Sequence, residues 1–105
     1  MSLAINFRLV NMTTGEYKYL EDGNFRGSGF TFVRDLIDSM DKYSQYIPIT
    51  DELFEHLCKY AFERLKEEGF CDLGANYGIV GFIKLLYLRD FYAKLGYTLC
   101  IEADW

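Results

Sequence analysis

Nineteen aromatic residues (nine Phe, nine Tyr and one Trp) in a chain of 105 are the strongest constraint on what this sequence can fold into. Each ring brings about 150–250 Å² of surface to hide. A chain of this length is expected to form one domain and to bury roughly two thirds of its unfolded surface. Such an interior is too small for all of the rings. Some must surface as half-wet, half-apolar faces, the type favoured at interfaces. Half of the residues are apolar and 26% are charged, which is globular composition and not disorder. No repeat, linker or low-complexity run divides the chain, so residues 1–105 are expected to be a single domain.

The formal charge is −5 and the isoelectric point is near 4.7. Phosphate recognition needs clustered Lys and Arg, so this balance argues against nucleic acid or an anionic membrane as partner. The longest apolar stretch, residues 79–88, is about half a membrane span and is broken by Gly81 and Lys84. Cys58, Cys71 and Cys100 are odd in number and widely spaced. They fit neither a disulfide framework nor a zinc site, and read as reduced thiols in a cytoplasmic protein. The first eight residues lack the basic segment and apolar run of a secretory signal.

Residues 4–11 are apolar near every second position, a strand pattern. Thr13-Thr14-Gly15-Glu16 is a turn and residues 17–20 a second strand, so residues 4–20 read as a hairpin. Residues 21–29 read as a Gly- and Asn-rich loop. Phe32, Val33, Leu36, Ile37 and Met40 recur at helical spacing and predict a helix over 31–43. Thr50 is placed to cap a second helix whose buried face is Leu53, Phe54, Leu57, Cys58, Ala61 and Leu65, with Gly69 ending it. Residues 70–76 read as a short connection. Residues 77–95 are apolar on nearly every side, as a central or partner-covered helix would be. A buried strand over 78–83 followed by a helix is the alternative, because Gly78 and Gly81 each disfavour helix by about 1 kcal/mol relative to Ala. Gly96 ends the segment and residues 97–102 read as a last strand. Together these predict an α+β fold: an N-terminal β-hairpin, three helices packed on one face of a small antiparallel sheet, and a closing C-terminal strand.

Chemistry is sparse. His56, the single histidine, has Glu52 one helical turn before it and reads as a surface residue. No metal-ligand spacing is present. Residues 23–29, Gly-Asn-Phe-Arg-Gly-Ser-Gly, lie between a predicted strand and a predicted helix, where free amides can face an anion. The ending of a phosphate-binding P-loop is missing there, and a flexible connection with a Ser or Thr helix cap explains the loop as well.

Arg26-Gly27-Ser28-Gly29 resembles the acetyl-CoA pyrophosphate loop of GNAT-type N-acetyltransferases. Residues 91–97, Phe-Tyr-Ala-Lys-Leu-Gly-Tyr, resemble a late segment of the same family. The resemblance implies acetyl-CoA as cofactor, held by the amides of Arg26, Gly27, Ser28 and Gly29, with Tyr92 as general acid. It covers under a fifth of the chain. Few residues precede the loop, and an extra charged helix lies between the two motifs.

Without a nucleophile–base pair, the residues themselves point to a small, acidic, non-catalytic protein-binding module of the inhibitor, immunity or phage-accessory type. Its expected contacts are Glu55, Glu63 and Glu67 on the charged helix, with Tyr87 and the terminal Trp105, and its expected partner has a basic surface. The apolar 77–95 segment predicts a homodimer. A minimal acetyltransferase is the alternative function, and a structural subunit of a larger assembly the second alternative.

Overall fold

A computed structural model describes residues 4–26, 28–40, 46–68 and 73–104. The N-terminal hairpin is present: β1 (Ala4–Val10) and β2 (Tyr17–Arg26) pair antiparallel. The turn is held by Asn11, whose Oδ1 accepts from the amides of Thr13 and Thr14 at 3.0 and 3.3 Å. Gly15 takes a positive φ of 79°. β2 runs on to Arg26, where a loop was expected. Its second half pairs again with β1, Asn24 opposite Asn6 and Phe25 opposite Ile5. Between the two paired stretches, residues 20–23 stand opposite Phe7 alone, an irregular bulge of four residues against one. Burial of Phe25 in the core draws the chain back into the sheet after it.

A single 3-10 turn (Ser28–Phe30) leads into α1 (Thr31–Ser39). Val33 and Ile37 are buried, and Phe32, Leu36 and Met40 pack against the core, as the stripe predicted. Residues 41–43 of that helix lie outside the described residues. Residues 46–49 contain a short strand that the sequence did not disclose, β3 (Ile47–Pro48). α2 (Asp51–Glu68) begins where expected: the Leu53 amide donates to Thr50 Oγ1 at 3.3 Å. Leu53, Leu57 and Ala61 are fully buried on its inner face. Gly69 lies outside the described residues.

α3 (Leu73–Tyr87) settles the ambiguous segment as helix, and it starts inside the expected connection. Gly78 and Gly81 lie where rings approach. A Cβ on Gly78 would stand 3.3 Å from the Phe30 ring, and one on Gly81 would stand 3.6 Å from Phe25. The helix breaks at Leu88 and resumes as α4 (Arg89–Lys94). It ends at Gly96, φ 90°, with Gly96 N–H donating to Ala93 O and Tyr97 N–H to Tyr92 O, the two bonds of a Schellman motif. β4 (Thr98–Asp104) closes the fold.

The sheet order is β2-β1-β4-β3, antiparallel throughout the described residues. Ile5, Phe7 and Leu9 of β1 and Leu99 and Ile101 of β4 point to the helices and join one hydrophobic cluster with Val33, Leu57 and Leu86. Phe82 sits at its centre, 5.4–5.8 Å from the rings of Phe7, Phe25, Phe30 and Phe32. No helix among the described residues is long and apolar enough to cross a membrane.

Candidate functional site

Alternation along a strand sends every second side chain to the face away from the helices. On that face the register lines up Tyr19, Arg8, Cys100 and Pro48 in one row across all four strands, with Tyr19 exposed and Cys100 buried. A neighbouring row is Tyr17, Val10 and Thr98; another is Asn24, Asn6 and Glu102. Tyr17 stands between two other rings, 5.4 Å from Tyr19 and 5.7 Å from Tyr46, which precedes β3. Tyr19 is 66% exposed and Tyr17 46%. The Arg8 guanidinium lies 4.0 Å from the centre of the Tyr19 ring, pairs with Glu102 at 3.4 Å and donates to the Phe7 carbonyl. Asn24 donates to Asn6, and Arg26 Nε to Asn24 Oδ1 at 2.9 Å. The result is a platform of three tyrosines whose cation is neutralised and held from below.

Electrostatics on this face are mild. A hydrogen bond with Tyr19 and the nearness of its hydroxyl raise the Tyr17 phenol above its ordinary range. Burial pushes the Cys100 thiol up to about 11, so it stays protonated at neutral pH. Neither group is poised to act as a base or nucleophile there. Both Cys58 and Cys100 are free thiols, and burial also raises Cys58, beside the Tyr87 hydroxyl.

The residues singled out from sequence fall elsewhere and apart. Glu55, Glu63 and Glu67 are exposed on the outer side of α2, with Glu67 3.8 Å from Arg64. Tyr87 lies at the end of α3, edge-on to Phe54 at 5.7 Å, and His56 is exposed. Trp105 and Gly27 lie outside the described residues. Arg26 ends β2, Ser28 opens the 3-10 turn, and a Cβ on Gly29 would stand 3.6 Å from the Arg64 guanidinium. Tyr92 is half-buried on α4 and packs against the core. Arg26 pairs with Ala4, whereas α4 feeds into β4 at Thr98, opposite Val10. The loop thus adjoins the Ala4 end of β1, while α4 runs into the sheet at the Val10 end, about 20 Å along the strand at ~3.3 Å per residue.

Open grooves flank the helices among the described residues. One of about 310 Å³ is lined by Phe32, Asp35, Leu36, Ser39 and Tyr60. Another, about 330 Å³, lies beside Arg89. Arg89 is already committed: it bonds Asp51 at 2.7 Å and the Ile49 carbonyl at 3.2 Å, and stacks on Phe54 at 4.6 Å. It clamps α4 to the start of α2. Sequence reasoning missed the tyrosine platform, although the two-residue spacing of Tyr17 and Tyr19 places them on one strand face. Tyr46 carries no such signal, because it joins them through the fold. No protein-family model, no curated protein and no solved structure matches this chain significantly.

Proposed function

We propose that this protein is a non-catalytic protein-binding module that uses the exposed tyrosines on the sheet face turned away from the helices. The observation that carries the reading is the Tyr17–Tyr19–Tyr46 platform. Large, stiff, amphipathic side chains contribute contact area at little cost in lost rotamers, and tyrosine is enriched at binding hot spots. Arg8, held beneath Tyr19, keeps that ring in place before any partner arrives. The acidic balance, including Glu55, Glu63 and Glu67, would steer a partner with a basic surface toward the molecule. The free thiols suit a reducing compartment such as the cytoplasm.

The test is capture from a native lysate on immobilised wild-type chain, on a Tyr17→Ser/Tyr19→Ser variant and on a Glu63→Gln variant. A stoichiometric partner held by wild type, weakened at least about tenfold by the double tyrosine change and modestly by Glu63→Gln, is expected. A partner that both variants hold as tightly as wild type would overturn the reading.

A further inference from the structure

The end of the helical layer carries a second surface of opposite character. Tyr87, Leu88, Phe91 and Leu95 are 59%, 39%, 55% and 59% exposed, and α4 buries none of its residues. Leu88, Phe91 and Leu95 stand at i, i+3 and i+7, and Tyr87 is four residues before Phe91, so the four share one helical side. At the break Leu88 keeps right-handed helical backbone (φ −85°, ψ −3°): its amide donates to the Leu85 carbonyl at 3.1 Å, and its carbonyl opens α4 by accepting from the Tyr92 amide at 3.0 Å. Charge sets the stripe apart as well. Residues 73–97 carry Lys84, Arg89 and Lys94 against Asp90 alone, a net +2 in a chain of −5, which leaves −7 for the rest. Arg89 is consumed by Asp51, but Lys84 and Lys94 are exposed and have no carboxylate at ion-pair distance among the described residues.

We infer that this stripe docks an acidic amphipathic helix of a partner protein. Four half-exposed side chains of roughly 200 Å² each present about 400 Å². A stable dimer needs nearer 800 Å² from each copy, so a second copy of this chain is not matched to the stripe. A single helix is, because it reads a stripe through anchors at i, i+3, i+4 and i+7. Lys84 and Lys94 then meet carboxylates on the incoming helix, which an uncharged or basic helix would not supply. This surface is on the helical side, away from the tyrosine platform, so it stands or falls independently of the sheet-face reading.

The probe is a designed helical peptide of about eighteen residues, five turns, with Leu on one face and Glu elsewhere, beside a copy in which Lys replaces every Glu. Amide NMR shifts and calorimetry report binding. Expected are shifts centred on residues 84–95 with the acidic peptide. Affinity should fall roughly tenfold in Phe91→Ser and again in Lys84→Glu/Lys94→Glu, and fall further with added salt. Circular dichroism confirms that both variants remain folded. Equal binding of the two peptides, or shifts confined to the sheet, would overturn the inference. So would sedimentation showing a micromolar dimer that Phe91→Ser dissolves, or tighter binding to phosphatidylserine vesicles than to the acidic peptide.

Discussion

A Cβ added at Gly23 would stand 3.0 Å from the Leu20 Cβ and 3.3 Å from that of Phe7. The bulge of β2 folds back on itself at this point, and a methyl group has nowhere to go. Gly81 is different: an added Cβ meets Phe25 at 3.6 Å, an ordinary contact, and the residue is in the middle of α3. Gly23→Ala is therefore expected to cost about 1–3 kcal/mol through overpacking. Gly81→Ala is expected to gain about 0.5–1 kcal/mol through helix propensity and a less flexible unfolded chain. Urea unfolding should move the two midpoints in opposite directions, and movement of both the same way would contradict this account of the bulge and the helix. From sequence, Gly23 read as part of a loop and Gly81 as a residue that disfavours helix. What separates them is the neighbour each one meets, and that neighbour is supplied by another element.

α2 is the element most completely written in the residues. Its cap, acidic first turn and buried stripe all lie within one stretch, so local physics suffices. Loss of the Thr50 side-chain acceptor leaves the Leu53 amide without it. Thr50→Ala should cost about 1 kcal/mol and Thr50→Ser very little, measured by chemical denaturation. Equal losses in the two variants would show that the methyl group matters and the hydroxyl does not. β3 and the second half of β2 were illegible for the converse reason. Ile47 becomes a strand residue by pairing with Ile101, far along the chain, and Asn24 by returning to β1 across a bulge. Neither event leaves a local periodicity. α3 was legible as an apolar segment but not as a helix, since Gly78 and Gly81 count against helix until Phe30 and Phe25 are seen to need the space.

At the scale of the molecule, the rings divide into a packed interior and two surfaces. Phe82 has no exposure and touches four other phenylalanines, while Phe91 is 55% exposed. Phe82→Ala should cost about 3–5 kcal/mol, a large share of the 5–15 kcal/mol that holds a domain together. Phe91→Ser should leave the thermal midpoint within a few degrees of wild type. Thermal circular dichroism on both variants checks this, and a collapse of Phe91→Ser would mean that the stripe is structural. The residues alone already dictated the α+β class, the hairpin, the capped helix, the closing strand and the overflow of aromatic area, because spacing, capping and side-chain volume act over a few neighbours or over the sum of the chain. Where the overflow came out was decided by tertiary pairing. Tyr17, from one edge strand, and Tyr46, just before the other, meet at 5.7 Å although β1 and β4 lie between those strands, and the β1–β4 register brings Arg8 and Glu102 together. Strand neighbours are chosen by which faces can share one core, a competition among distant segments that no local window contains.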